Sequence, residues 1–384
     1  MPNHPIETIE ELKEHLRVAM QLEHATIPPY LLALYTICPD TNPEATRILR
    51  TVVVEEMLHL TLAANLLNAV GGKVCLTCPG FVPCYPAPLP AGLGDFKVSL
   101  RPFSKQALKT FLQIERPAKA PSANEVLMPL NGRKLAFHMH HPGHPGDAYY
   151  SIGEFYKAIA EGLQKLNQDS LNGGKKLFCS IPQNQVGPEY YYSGGAKLLK
   201  VCDLDTALTA VNTIIEQGEG FDKGVFSDSG ELAHDYRFEQ LDLERYYLAK
   251  NADGKPDQPG HPTGPELKVE WDKVYPAKVN ARLTDYEPFP DIHAAAVNFN
   301  REYFEFLGLL TKAFNGQPGL LLTAAVPKMF ALRNLILQLV HVPLPNDPGT
   351  NAAPTFEMPD GGTGCPPAET PCAAPGNLPS EVTQ

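Results

Sequence analysis

Apolar residues recur every three or four positions through the first seventy residues, and in two places ionisable residues interrupt them. From Leu12 the stripe runs through Leu16, Ala19, Glu23, Thr26 and Tyr30, the spacing of one face of an α-helix. A second stripe follows as Ile48, Val52, Glu56, His59, Ala63, Leu66 and Val70. The two patterns predict helices over residues 6–36 and 43–70. Between them, Cys38-Pro39-Asp40-Thr41-Asn42-Pro43 is a short turn, so the helices are expected to lie antiparallel; Gly71-Gly72 ends the second.

Further along, clean helical periodicity alternates with Pro-rich connections. The 38 prolines of the 384 residues are roughly twice the average share and fall mainly in these connections. Residues 73–147 read as a long insertion with β-like runs, such as 96–100, and a brief helical stretch at 105–114. Amphipathic helices are expected at 151–168, at 203–219 and at 230–249, the last behind the N-cap candidates Asp228 and Ser229. A second insertion, 250–290, holds the only tryptophan, Trp271. Two strongly apolar helices separated by Asn315-Gly316 predict a C-terminal hairpin over 291–341. Residues 346–384 have the composition of an extended or disordered tail. The expected fold is mainly α: one domain over 1–345, with a four-helix bundle (6–36, 43–70, 203–219, 230–249), long Pro-rich crossovers and an extra helical hairpin.

Charge narrows the partners. With 43 acidic and 32 basic residues the net charge is -11, and no basic run occurs, which argues against nucleic acid and anionic membrane. A small-molecule substrate fits better, and a homo-oligomer is compatible with the sequence. His59, Asn65, Lys328 and Arg333 break the longest apolar stretches, so no membrane span is expected. The N-terminus lacks the features of a secretory signal, which points to the cytoplasm. Eight cysteines without regular spacing are expected to be reduced there. Cys75 and Cys78, with Cys84 nearby, lack the second pair that a zinc ribbon needs.

The interrupted stripes carry the chemistry. Glu56 and His59 project from one face of their helix, and burying such groups unpaired costs several kcal/mol each, so a cation is the expected partner. The Glu-x-x-His spacing recurs at Glu231 and His234. Two such helices facing two that each supply a glutamate is the arrangement of ferritin-like di-metal proteins. Glu23 supplies one single glutamate. The other is Glu219, favoured by helical phase, or Glu216; Glu154 and Glu161 lie opposite the apolar face of 151–168. Four carboxylates and two histidines balance two divalent cations, with iron as the leading assignment and manganese or zinc as alternatives. Glu55 and His24 sit about 100° around their helices, in supporting positions. Pro28 and Pro29 are expected to kink the first helix. The histidines at 138, 140, 141 and 144 read as an incidental loop cluster, and Tyr190, Tyr191 and Tyr192 as packing of a crossover.

Six segments together resemble the ferritin-like domain named for iminophenylpyruvate dimer synthase, found in enzymes of the violacein and rebeccamycin pathways and in uncharacterised stand-alone proteins. They are Leu-Glu23-His-Ala-Thr-Ile-Pro-Pro-Tyr30, Val-Glu55-Glu56-Met-Leu-His59, Phe-Leu-Gln-Ile-Glu115-Arg-Pro, Ser151-Ile-Gly-Glu-Phe-Tyr156, Glu216-Gln-Gly-Glu219-Gly and Leu-Ala-His234-Asp-Tyr-Arg-Phe238-Glu239. The resemblance implies a ferritin-like bundle with metal ligands at Glu23, Glu56, His59, Glu231 and His234. The expected function is a di-iron oxidoreductase of secondary metabolism that uses O2 or peroxide on a small organic molecule. The alternative is a non-catalytic metal-binding or structural protein of the same fold.

Overall fold

The computed structural model describes residues 4–90, 92–93, 96–115, 138–141, 144–149, 151–174, 176–178, 184–192, 194, 196–218, 225–227 and 230–358. Helix α1 (Ile9–Thr36) opens with a capping box, Thr8 and Glu11 each bonding the other's backbone N–H. It runs unbroken through Pro28 and Pro29, both buried. Pro29 has no N–H to give the Ala25 carbonyl four residues back; the Tyr85 hydroxyl donates to that carbonyl instead, at 2.7 Å. Helix α2 (Pro43–Ala69) starts with proline in its first turn, where the missing N–H costs nothing. Asn42, left-handed at φ 48°, holds the turn by exchanging two hydrogen bonds with the Glu270 backbone.

Six more helices follow among the described residues: α3 (Lys105–Glu115), α4 (Ile152–Asn172), α5 (Leu204–Gly218), α6 (His234–Leu243), α7 (Pro290–Phe314) and α8 (Val326–Val340), the last entered through a π-helical turn at Leu321–Ala325. Strands β1 (Gly92–Leu93), β2 (His138–His141) and β3 (His144–Tyr149) form a small antiparallel sheet, and β4 (Pro343–Leu344) pairs with β5 (Asp347–Asn351). Histidines 138, 140, 141 and 144 thus lie on a hairpin rather than a loop.

The bundle is a ring: α1 packs on α2, α2 on α5, α5 on α4, and α4 back on α1. α3 and α6 form a separate antechamber pair that reaches α2 through α6. An aromatic cluster ties that pair to α1, with Tyr30 4.5 Å from Phe111 and 5.3 Å from Phe238, ring centre to ring centre. The C-terminal hairpin α7–α8 covers the opposite side of α1 and α2. The α1–α2 pair is therefore the central wall of the molecule, with one face toward the ring and the other toward the hairpin.

Several expectations need correction. The segment 230–249 does not form a bundle helix. Phe226 bridges Leu232 around Gly230, at φ +83°, and this hairpin occupies the backbone up to Ala233, so α6 starts only at His234. The N-cap candidates Asp228 and Ser229 lie outside the described residues. The fourth ring helix is instead Ile152–Asn172. Residues 346–358 are not a loose tail: β5 pairs there, Ala353 exchanges hydrogen bonds with the Tyr286 hydroxyl, and Phe356 is buried between Phe299 and Tyr303. The rest of the expected tail, 359–384, lies outside the described residues. Cys75 and Cys78 are joined in a disulfide rather than reduced, and Cys84 is disulfide-bonded too. Among the described residues, no helix is long and apolar enough to cross a membrane.

The Tyr85 contact is testable. Tyr85→Phe leaves the Ala25 carbonyl buried without a donor, and denaturant unfolding should show a loss of about 1–3 kcal/mol. A loss below the error of the measurement would mean that the carbonyl freed by Pro29 is satisfied some other way.

Candidate metal centre

Six elements place side chains at one level of the interior. From α1 come Glu23, Thr26 and Tyr30; from α2, Glu55, Glu56 and His59; from the last residue of α3, Glu115; from α4, Tyr156; and from the end of α5, Gln217. The first residue of α6, His234, closes the group. The four glutamates and two histidines are each at most 4% exposed.

Two triads emerge, Glu23–Glu56–His59 and Glu56–Glu115–His234, and within each the ligand atoms lie within 4.8 Å of one another. Glu56 belongs to both. The two histidines are held alike. His59 presents Nδ1 to Glu23, at 3.3 Å, while its Nε2 is 2.8 Å from the Gln217 amide oxygen. His234 presents Nδ1 to Glu56 and Glu115, at 2.9 and 3.5 Å, while its Nε2 is 2.9 Å from Glu55. Glu55 also accepts from Arg237, at 2.9 Å. Tyr156 donates to Glu23 and Tyr30 to Glu115, each at 2.5 Å, and Thr26 donates to Glu56 at 2.9 Å.

One atom fits a cation better than a hydrogen bond. His234 Nδ1 is buried and close to two carboxylates, yet no directional hydrogen bond is made there. A nitrogen facing carboxylates across a gap, with its other nitrogen anchored by a carboxylate, is how a metal-binding imidazole is commonly held. Beside the triads a void of about 20 Å³ is lined by Glu23, Glu56, His59 and Glu115; a water needs roughly 10–15 Å³. The oxygen and nitrogen donors, with no thiolate, suit a hard or borderline divalent ion.

Without a cation the cluster holds protons. Burial, then the charges of Glu115 and Glu23, push the Glu56 carboxyl up to about 7, against the pull of His234. Burial would lower both histidines, but Glu23 outweighs it at His59, and Glu115 with Glu55 and Glu56 outweighs it at His234, whose pKa ends well above the ordinary value. At Glu55 burial works upward, but His234 and Arg237 prevail and hold the carboxyl below its usual range. Burial, reinforced by the neighbouring carboxylates, raises Tyr30 and Tyr156 far enough that both remain donors at neutral pH.

Of the residues singled out from sequence, the structure brings together Glu23, Glu56, His59 and His234. Glu231 is not among them: it is exposed, in the hairpin before α6, its backbone N–H bonded to the Ser227 hydroxyl. Glu216 is exposed on α5, and Glu219 lies outside the described residues. Glu115 takes the place that the repeated spacing assigned to Glu231. Its signal was the stripe Leu108, Leu112, Glu115 in a short helix, an apolar face ending in a carboxylate as in α1. Gln217, one residue from Glu216, meets His59. Glu55 supports His234, as its position beside Glu56 suggested, whereas His24 faces away from the centre toward Tyr303.

The model of the Ferritin-like family matches residues 16–243. Dichlorochromopyrrolate synthase of Lentzea aerocolonigenes is 28% identical over 92% of this chain and 36% of its own length. 2-Imino-3-(indol-3-yl)propanoate dimerase of Chromobacterium violaceum is 24% identical over 66% of this chain and 25% of its own. The chain thus spans well under half the length of either curated relative. A solved ferritin-like protein from Caulobacter vibrioides superposes with a TM-score of 0.58 at 23% identity, covering 91% of this chain and 99% of that one; this likeness bears on the fold alone.

The proton balance predicts an unusual pH dependence. His59 and His234 are raised above 6.5 in the folded chain, so their contribution to stability is complete below that value and is lost as pH rises through their folded pKa values. Glu56, raised from 4.5 to about 7, acts in the same sense between those values. Metal-free protein should therefore melt at a higher temperature near pH 6 than near pH 8.5, while bound divalent metal should flatten the difference by displacing the protons. A melting temperature of the metal-free protein that rises over this interval would contradict the charge assignment.

Proposed function

We propose that this chain, which belongs to the Ferritin-like family, holds two divalent cations, iron in the working protein, and oxidises a small organic molecule with O2 or peroxide. Glu23 and His59 would hold one cation, Glu115 and His234 the other, and Glu56 would span the two. The observation that carries this reading is the shared Glu56 at the junction of two buried triads, the pattern that a carboxylate-bridged pair requires. Such a pair supplies the electrons that reduce O2 or peroxide.

The chain's own residues supply order. Gln217 and Glu55 fix the outer nitrogen of each imidazole, so that Nδ1 of both is presented to the carboxylates. Tyr156, Tyr30 and Thr26 each donate to one glutamate and set the direction of its remaining lone pairs. Arg237 compensates the charge of Glu55 at the edge of the centre. The burial of Tyr30, Tyr156, Thr26 and Glu55 limits the access of bulk water to the carboxylates.

The named activities of the two relatives concern a pyrrole carboxylate and an indole imino acid, and they belong to chains much longer than this one. The substrate proposed here is accordingly no narrower than a small organic molecule. A second reading, metal binding without substrate oxidation, is favoured by the small void beside the carboxylates, which admits little more than water or a diatomic gas.

Anaerobic Fe(II) loading followed by O2 separates these readings. The proposal expects two irons per chain, O2 uptake and a transient visible absorption; iron binding with no O2 uptake would favour the second reading, and no binding would reject both. Glu115→Ala should cut iron content by half or more, whereas Glu231→Ala should leave it unchanged. The reverse pattern would restore Glu231 as the ligand.

A further inference from the structure

On the face of the α1–α2 wall away from the carboxylates, the C-terminal hairpin does not close fully. It leaves a cavity of about 640 Å³, within the range of roughly 300–1,000 Å³ usual for small-molecule sites. Its lining has no residue in common with that of the metal-centre void. Along α1 the lining extends from His24 to Tyr35 and along antiparallel α2 from Thr61 back to Arg50. Twelve residues, eleven rises of about 1.5 Å, make the slot about 16 Å long. The far wall is apolar, with Phe306 and Leu310 of α7 and Met329 of α8. Tyr191 and Tyr192 stand on its rim, which gives the tyrosine cluster a place beyond crossover packing.

The two ends differ in chemistry. At one, Arg50 and Arg333 are both exposed, and the Arg333 guanidinium lies 6.0 Å from the centre of the Tyr35 ring. Among the described residues, no Asp or Glu lines the cavity and neither arginine pairs with an acid. In a chain of net charge -11, two guanidiniums left without carboxylates at the mouth of an apolar slot form a local anion receptor. At the other end His24 is buried, its Nε2 2.6 Å from the Tyr303 hydroxyl, and its Nδ1 has no hydrogen-bond partner. Voids that stay empty are apolar throughout; this one carries two guanidiniums at its mouth.

We propose that the slot is a binding site, separate from the metal centre, for an elongated, largely apolar molecule that carries a carboxylate at one end. The carboxylate sits between Arg50 and Arg333, and the apolar body lies along α1 and α2 under the hairpin.

The test uses the full chain stripped of metal by a chelator, so that its outcome is independent of the metal centre, with titration calorimetry of decanoate and 1-decanol as probes. One decanoate should bind per chain, with decanol weaker by roughly tenfold or more. Replacing both arginines, Arg50→Gln with Arg333→Gln, should remove that difference and leave decanol binding unchanged. Leu31→Trp, which fills the slot, should weaken both probes in a protein whose circular dichroism matches the parent. Absence of decanoate binding, equal affinity for the two probes in the parent, an undiminished preference in the double variant, or full binding in a folded Leu31→Trp protein would each overturn the proposal.

Discussion

The organising constraint in this molecule is the burial of four carboxylates, Glu23, Glu55, Glu56 and Glu115, in the middle of a helical core. A carboxylate withdrawn from water costs several kcal/mol even after relaxation unless opposite charge and hydrogen bonds replace the solvent. Here two imidazoles, one guanidinium, two phenols and a threonine hydroxyl are arranged around them. In the metal-free chain these groups share protons to approach neutrality. Divalent cations would do the same with more charge and shorter contacts, which explains why the same residues read both as a satisfied polar core and as a metal centre.

That constraint accounts for features of the fold that bundle packing alone would not need. α3 and α6 are shorter than the ring helices, and α6 packs on α2. Their purpose is positional: Glu115 is the last residue of one and His234 the first of the other, and the Tyr30–Phe111–Phe238 cluster fixes both helices against α1. Tyr30 then donates from the same cluster to Glu115. The wall formed by α1 and α2 separates this polar interior from the apolar slot under the C-terminal hairpin, so adjacent residues such as Glu23 and His24 serve different compartments.

The legible part of the sequence was the part written in helical periodicity. Glu23, Glu56 and His59 interrupt long, regular stripes, and a polar group on an apolar face of a long helix has few places to go other than the centre of the bundle. Helices α1, α2, α5, α7 and α8 were readable for the same reason. The errors came where local backbone chemistry overrides side-chain spacing. Glu231 and His234 have the right separation for a helical turn, but Gly230 and the Phe226–Leu232 bridge make that stretch a hairpin, which leaves Glu231 exposed and His234 buried. Glu115 was hidden because its helix is short and its partners are remote in sequence. Composition alone misleads in the C-terminal segment: Ala352, Ala353 and Phe356 are few, but each is buried, and Tyr286 and Asn300 supply the hydrogen bonds that hold the chain in place.

The central claim is a pair of cations that share Glu56. Crystals of the manganese-loaded chain, measured at the manganese absorption edge, address it directly through the anomalous difference map. The account predicts two peaks per chain, one between Glu23 and His59 and one between Glu115 and His234, with Glu56 touching both. A single peak, or a peak held by Glu231, would contradict it.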